Sequence, residues 1–216
     1  MLSSYYTVKG YGEHEHTVQK SKFIAYINRA ETEEAAQQFI KQIKKKHHDA
    51  NHNCSAYMIG ENDEIQKAND DGEPSGTAGV PILEVLKKRK LKNTVVVITR
   101  YFGGIKLGAG GLIRAYGTST SEGLNATGIV ERKRMSILRF TVNYTLLGKV
   151  ENGLRNSTYS IKSIQYMENV EFNIYIPING EQKFIDWIID LTNGSAKTID
   201  IIDSTFLETE IVIDEI

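Results

Sequence analysis

A β-branched strand, a glycine-rich turn and a helix follow one another in the middle of this chain and constrain its fold more than any other feature. Thr94 to Thr99 has the composition of a buried central strand. Apolar residues recur at helical spacing from Leu112 to Leu124. The glycines between these two elements are Gly103, Gly104, Gly108, Gly110 and Gly111. The glycine-rich turn is therefore expected to lead directly into a helix N-terminus.

Strand and helix patterns also fill the rest of the first 134 residues. A helix is predicted from Thr32 to His47, because Thr32 can cap it and Lys44-Lys45-Lys46 places cations at its C-terminal end. A second helix, with Pro81 in its first turn, is predicted before the central strand. The other predicted strands are a meander of Tyr5 to Val8, His14 to Val18 and Phe23 to Ile27, followed by Asn53 to Ile59 and Ile65 to Asn69.

The pattern resets after Arg134 and gives the order β-α-β-β-α-β, which is the ferredoxin-like arrangement. The elements are a strand over Ile137 to Tyr144, a helix over Leu147 to Arg155, strands over Ser160 to Met167 and Val170 to Ile176, a helix through Phe184 to Leu191, and a strand near Ser204 to Ile213. We therefore predict an α+β fold with two domains, 1–134 and 135–216.

The charges divide unevenly between these two domains. Up to Arg134 the chain has about 20 basic and 15 acidic residues, whereas from Met135 it has about 6 basic and 12 acidic residues. A polyanion such as RNA would be attracted to the first domain and repelled by the second. The acidic second domain is instead a candidate contact for a protein partner.

Composition and the chain start indicate a cytoplasmic protein without membrane insertion. The single cysteine, Cys54, excludes an internal disulfide and fits a reducing compartment. The first residues lack a basic segment followed by a long apolar one, and the apolar run Val95 to Ile98 is too short to span a bilayer.

The glycine-rich turn combines the features of an anion-binding site. Glycines let backbone amides approach a ligand, and a helix N-terminus supplies free N–H groups. Arg100, Lys106 and Arg114 flank the turn, and the amides of Gly104, Gly108, Gly110 and Gly111 could assist. Tyr101, Phe102 and Tyr116 offer surfaces on which bases of single-stranded nucleic acid could stack. The alternative is a tight strand-to-helix crossing with core aromatics.

This turn does not match the standard nucleotide-binding loops. Gly103 and Gly108 have the outer spacing of a Walker loop, but Ala109-Gly110 replaces its Lys and Ser/Thr. Ile113 stands where the dinucleotide fingerprint requires Gly or Ala. ATP hydrolysis and nicotinamide chemistry are therefore disfavoured, and no cofactor is predicted.

An acidic turn precedes the helix that carries Pro81. Asp70, Asp71 and Glu73 could hold Mg²⁺ or, with His52, supply acid/base chemistry, although a polar turn whose acids cap neighbouring amides is favoured. Ser75 and Thr77 belong to a further run of small residues, which could form a second wall of the same anion site.

The remaining reactive side chains lie close together between His47 and Cys54. No second Cys or His cluster completes a structural metal site, so no metal is predicted. Cys54 with His52 could form a nucleophile and base, but a lone cysteine is more often a small buried hydrophobe. His52 is favoured as a surface or phosphate-contacting residue.

Three stretches of the first domain resemble the signature of the YigZ/IMPACT family. They are Ala50-x-His52-x-Cys54-x-Ala56-Tyr57, Asp70-Asp71-Gly72-Glu73-Pro74-x-Gly76-Thr77-Ala78-Gly79-x-Pro81, and Arg100-Tyr101-Phe102-Gly103-Gly104-x-Lys106-Leu107-Gly108-x-Gly110-Gly111-Leu112-x-Arg114-Ala115-Tyr116. The rest of the chain is similar to the companion domain of bacterial two-domain members. Asn51 departs from the pattern, since family members often have a basic residue before the histidine.

The resemblance implies a first domain with the fold shared by a small-subunit ribosomal protein and domain IV of elongation factor G. It implies a second domain similar to domain V of that factor, and binding to RNA or the ribosome. Eukaryotic relatives regulate translation during amino-acid starvation through a protein partner that is not expected in bacteria.

The leading hypothesis is a non-enzymatic nucleic-acid or ribosome-binding protein linked to translation or stress. One alternative is an enzyme acting on a small phosphorylated or peptide substrate through Asp70, Asp71 or Glu73 with His52. The other alternative is a protein-interaction adaptor that uses the acidic second domain.

Overall fold

The computed structural model describes residues 2–211, and the chain divides into two compact units. The first unit contains Tyr5–Arg132 and the described residues 208–211, and the second contains Leu2–Ser4 and Lys133–Leu207. The sequence-based division at residue 134 is sequential, whereas each unit here also takes a short segment from the far end of the chain. Pairing of distant segments creates this exchange, and no local pattern encodes it.

The first unit is built on an antiparallel five-stranded sheet in the order β2-β3-β6-β4-β5. Its strands are β2 (Gly12–Val18), β3 (Ser21–Arg29), β4 (His52–Ile59), β5 (Ile65–Asn69) and β6 (Thr94–Tyr101). Its helices are α1 (Glu33–Lys46), α2 (Gly79–Lys88) and α3 (Gly108–Thr127). The predicted sequence of strand, glycine-rich turn and helix is therefore confirmed as β6 followed by α3.

Helices cover both faces of this sheet. Phe23, Ile98 and Tyr116 are buried together between the sheet and the pair α2/α3, while Tyr26, Phe39 and Val97 are buried on the α1 side. Because side chains alternate along a strand, even-numbered residues of β6 point toward α2 and α3. This alternation decides which neighbours of the glycine-rich turn can share a site.

The predicted N-terminal meander is only partly correct. β2 and β3 form a hairpin, but β1 (Ser4–Val8) pairs with β7 (Ile129–Val142) in the other sheet. The helix predicted from Thr32 is confirmed, and the Thr32 hydroxyl accepts a hydrogen bond from the Ala35 amide at 3.2 Å. The helix cap could be predicted from neighbouring residues, whereas the pairing of β1 with a distant strand could not.

The second unit has the predicted β-α-β-β-α-β order. After β7 come α4 (Leu147–Arg155), β8 (Ser160–Tyr166), β9 (Val170–Pro177), α5 (Glu181–Thr192) and β10 (Lys197–Ile211). The sheet order is β1-β7-β9-β8, with β10 also paired to β7. The predicted end of the last strand, Ile213, lies outside the described residues. The α+β fold class is thus confirmed.

The second unit closes around aromatic side chains. The Phe140 and Phe172 rings stack with their centroids 5.2 Å apart, and Phe184 is buried against them at 5.9 Å from Phe140.

Within residues 2–211, none of the helices is both long and apolar enough to cross a membrane.

Candidate functional site

A cavity of about 400 Å³ brings the three signature segments of the first unit together. It lies where β4, β6, the acidic turn and the start of α3 converge, and we call it the glycine-turn cavity. Its lining residues are Asn51, His52, Glu73, Pro74, Arg100, Phe102, Lys106, Leu107, Gly108, Ala109 and Leu112. The convergence follows from the sheet, because β4 and β6 are neighbours in which His52 lies directly opposite Arg100.

Arg100 and Glu73 form a buried ion pair in this cavity. Their side chains are 7% and 3% exposed, and Arg100 Nη1 lies 2.6 Å from Glu73 Oε1. The Tyr116 hydroxyl donates a second hydrogen bond to the same oxygen at 2.8 Å. Buried charges require such partners, since an unpaired one is strongly destabilising. Arg100, predicted to meet a phosphate, therefore has its charge already paired within the chain.

Tyr116 was predicted as a stacking surface, and this prediction is wrong. Its side chain is fully buried, and burial raises the pKa of its hydroxyl, which stays protonated and donates to Glu73. Sequence reasoning missed its role as a positioning residue. A tyrosine among the apolar positions of a helix was the available signal, because a buried hydroxyl needs a partner.

The His52 ring is held in one tautomer. Its Nδ1 lies 2.9 Å from the Asp71 carbonyl oxygen, which can only accept a hydrogen bond. Nδ1 therefore carries the hydrogen when the ring is neutral. The other nitrogen, Nε2, is an acceptor and lies 3.9 Å from Glu73 Oε2.

The N-terminus of α3 borders the cavity without an acidic group. Among residues 2–211, no side chain caps it, and its first turn contains no Asp or Glu. The first N–H groups of a helix have no intrahelical acceptor and carry partial positive charge. Lys106 and the 45% exposed Phe102 lie beside this helix end in the cavity lining.

Glycine is required at two positions of the turn for different reasons. A Cβ at Gly103 would lie 2.0 Å from the Lys20 backbone, so no side chain fits there. Gly104 has open space but a φ of +86°, which L side chains rarely adopt. These glycines shape the turn, and neither lines the cavity.

The N-terminus of α2 is occupied by the chain itself. The Asp70 carboxylate accepts hydrogen bonds from the amides of Gly76, Ala78 and Gly79 at 2.8, 3.0 and 2.8 Å. Burial alone would raise the pKa of Asp70, but these amides outweigh burial and lower it. The expected second wall of the anion site is therefore wrong, because its amides already bind an anion.

Ser75 and Thr77 accordingly lie outside the residues that line the cavity. Ser75 is exposed, and the Thr77 hydroxyl donates to the Pro74 carbonyl at 2.6 Å. Asp71 is also engaged, since its carboxylate lies 2.6 Å from Lys44 Nζ and accepts from the Asn53 amide at 2.7 Å. The predicted capping role of this turn is confirmed, and of its three acids Glu73 alone lines the cavity.

Tyr101 and Arg114 do not line the glycine-turn cavity. The Tyr101 ring lies on the α1 side, where its hydroxyl is 2.9 Å from His47 Nδ1 and 3.1 Å from Asp49 Oδ1. Arg114 lines a separate cavity of about 530 Å³ with Lys88 and Arg89. Gly110 and Gly111 follow Ala109 in the first turn of α3, outside the cavity lining. Of the predicted set, His52, Arg100, Phe102, Lys106 and Gly108 share the glycine-turn cavity.

Cys54 is a buried thiol rather than a nucleophile. It is fully buried, its Sγ lies 2.9 Å from the Asp70 carbonyl oxygen, and burial raises the pKa of the thiol to about 12. The reactive thiolate is therefore scarce at neutral pH. Across the described part of the chain, no group of three or more His, Cys, Asp or Glu side chains is arranged to hold a metal ion.

Sequence comparison accounts for both units. Residues 19–124 match the Impact N-terminal domain, and residues 140–195 match a domain of unknown function (DUF1949). The IMPACT family member YvyE of Bacillus subtilis is 63% identical over 91% of this chain and 90% of that protein. The IMPACT family member YigZ of Escherichia coli is 31% identical over 84% of this chain and 90% of that protein.

Structural comparison extends the similarity along nearly the whole chain. A crystal structure described as that of an hypothetical protein matches with a TM-score of 0.60 and 27% identity, covering 94% of this chain and 99% of that chain. Both domain models match this chain, and relatives at 63% and 31% identity are each covered over 90% of their length, so this chain belongs to the IMPACT family.

Proposed function

We propose that this protein is a non-enzymatic, cytoplasmic RNA-binding protein that takes a single-stranded segment of RNA into the glycine-turn cavity. One observation carries the proposal: the N-terminus of α3 borders the cavity beside Lys106 and, among the described residues, has no side-chain cap. A phosphate there would accept hydrogen bonds from the first amides of the helix and interact with its dipole.

Phe102 supplies the second part of the proposed interface. Its ring is 45% exposed and lines the same cavity. Stacking of a base on an aromatic ring contributes roughly 1–3 kcal/mol and tolerates any base. The Arg100 guanidinium lies over this ring, 5.6 Å from its centre, within the range of a cation–π contact.

Charge favours the same ligand. Residues 1–134 have about 20 basic and 15 acidic side chains, whereas the remainder is acidic. Because Arg100 is paired with Glu73, we assign phosphate contact to Lys106 and the first α3 amides. The link to translation and the ribosome rests on the family resemblance.

The test is equilibrium binding of the full chain to ribosomes and to labelled single-stranded RNA across a salt series. Lys106→Ala should weaken binding to all RNAs and reduce the slope of log affinity against log salt by about 1. Lys88→Ala is the matched control, since Lys88 is a lysine of the same unit that lines another cavity. Absence of binding at low salt, or equal loss in both variants, would count against the proposal.

A second candidate is an enzyme that acts on a small phosphorylated or peptide substrate. The observation that favours it is that two basic atoms, His52 Nε2 and Glu73 Oε2, lie 3.9 Å apart in one cavity, where either can accept a proton from a bound substrate. Asp70 and Asp71 are no longer candidates for acid/base chemistry, because both carboxylates accept hydrogen bonds from backbone amides. Turnover that is lost in His52→Ala, while RNA affinity is retained, would establish this function instead.

A further inference from the structure

One oxygen of the buried Glu73 carboxylate is left without a hydrogen bond. Oε1 accepts from Arg100 and Tyr116, whereas Oε2 has no hydrogen-bonding partner among residues 2–211. His52 Nε2 lies 3.9 Å from Oε2, beyond hydrogen-bond distance. The side chain is 3% exposed and lines the cavity. Oε2 is not among the fully buried atoms that lack a partner, so a ligand or water that enters the cavity can supply its donor.

His52 adds a second acceptor at the same place. Its Nδ1 donates to the Asp71 carbonyl, so neutral His52 presents the lone pair of Nε2. Glu73 Oε2 and His52 Nε2 together therefore match a ligand group that donates hydrogen bonds. A carbonyl oxygen presented at this point would face two acceptors and be rejected.

The charge of the ion pair narrows the class of donor. Arg100 neutralises Glu73, so the pair has no net charge for a ligand to balance. An ammonium group would lose its hydration on entering without a net counter-charge, whereas a neutral amino group loses much less. The acceptors thus favour an uncharged NH₂ group.

We propose that the cavity selects a nucleobase with an exocyclic amino group, which donates to Glu73 and His52 while Phe102 contacts the ring and the α3 N-terminus holds the phosphate. This inference rests on the proposed RNA binding and names the ligand of the same site. Adenine and cytosine present an amino group on the edge that the acceptors would meet, whereas uracil presents a carbonyl at the corresponding position.

The experiment compares ligands that differ in the amino group alone. Full-length protein is titrated with labelled oligomers of adenosine and of purine riboside, which has the same ring without the amino group. Oligomers of cytidine and uridine provide a second pair. A hydrogen bond to a charged acceptor corresponds to about a ten- to hundredfold difference in affinity, so the amino-bearing member of each pair should bind more tightly by that factor.

Two variants separate base selection from phosphate binding. Glu73→Gln should keep its carbonyl toward Arg100 and Tyr116 and present NH₂ in place of Oε2, which reverses the preference toward uridine. Lys106→Ala should weaken all four oligomers without changing the ratio within a pair. The wild-type comparison of adenosine with purine riboside needs no variant, so it stands even if Glu73→Gln does not fold.

The outcomes distinguish selection of an amino-bearing base from the proposed RNA binding on which it rests. Salt-sensitive binding with equal affinity for adenosine and purine riboside oligomers would overturn the base selection and leave RNA binding intact. Absence of binding to every oligomer at low salt would overturn both. A preference for uridine in the wild type would contradict the assignment of Glu73 and His52 as acceptors.

Discussion

The N-termini of α2 and α3 look alike in sequence and differ in the folded chain. Each follows a run of glycines and small residues, and each presents backbone amides with partial positive charge. At α2 the Asp70 carboxylate binds three amides, whereas at α3 no residue in the described range supplies a capping side chain. One helix end thus contains its own anion, and the other can take one from outside.

Within the first unit, the α2 N-terminus therefore contributes to stability, whereas the α3 N-terminus is free for the proposed binding. The amides at α2 are satisfied by a carboxylate nine residues before Gly79, which fixes the acidic turn against the helix. The amides at α3 border a cavity that already has an apolar ring and a cation. Glu73 connects the two helix ends, because it belongs to the acidic turn before α2 while its carboxylate lines the glycine-turn cavity at the start of α3.

The largest expected effect comes from breaking this connection. Glu73→Ala leaves Arg100 buried without its partner, which should lower the free energy of unfolding by roughly 3–5 kcal/mol. Urea unfolding followed by circular dichroism measures the loss. The double variant Glu73→Leu/Arg100→Met removes both charges and should recover most of it. A single variant as stable as the wild type would show that the pair does not hold the two turns together.

The next effect concerns the occupied helix end. Asp70→Ala removes the carboxylate cap of α2 and should cost about 2 kcal/mol, at the upper end for loss of an N-cap. Asp70→Asn keeps one acceptor oxygen and should cost less. Equal stability of Asp70→Ala and the wild type in urea unfolding would mean that water satisfies these amides equally well.

The same carboxylate predicts how stability depends on pH. The pKa of Asp70 is lowered in the folded chain, so the unfolded chain takes up the proton first as the pH falls. Its contribution is complete above about pH 4 and is lost as the pH falls through the lowered pKa. Urea midpoints measured from pH 6 downward should therefore converge for the wild type and Asp70→Ala.

A smaller effect tests the shape of the glycine-rich turn. Gly104→Ala forces an alanine into a φ of +86° and should cost about 1 kcal/mol. Gly117→Ala is the matched control, since Gly117 lies inside α3 with nothing within 4 Å of the added Cβ. The control should stabilise by roughly 0.5–1 kcal/mol. Thermal unfolding of the pair measures both signs, and destabilisation of the control alone would contradict this account.

The smallest change in stability should accompany a clear change in binding. Ala109→Glu places a carboxylate in the first turn of α3, imitating the occupied end of α2. Stability should rise by about 0.3–1 kcal/mol, because an acid there interacts favourably with the helix dipole. RNA affinity should fall, whereas the neutral Ala109→Gln should leave it nearly unchanged. Undiminished RNA affinity in Ala109→Glu would remove the α3 N-terminus from the interface.

Much of the fold was predictable because local patterns encode it. The Thr32 cap, the lysines that end α1 and the β-branched β6 are short-range signals, and all three describe the observed elements. β1 was misplaced because its partner, β7, lies more than a hundred residues away in the chain. The exchange of short end segments between the units has the same cause.

The candidate site was predictable in its residue types but less so in its membership. Arg100 and Tyr101 are adjacent, yet strand alternation sends them to opposite faces of the sheet. Arg114 is close in sequence to Lys106 but lines a different cavity. Tyr116 stands at an apolar position of the helix pattern, but its hydroxyl donates a hydrogen bond to Glu73.

The sequence by itself determined the elements, the uneven charge and the glycine-rich entry to α3, because these depend on neighbours within a few residues. The tertiary structure alone decided which charges are paired. Glu73 meets Arg100 across 27 positions, and Asp70 rather than a ligand meets the α2 amides. Such choices depend on burial and pairing across the fold, because a buried charge or amide is stable only where another segment brings its partner.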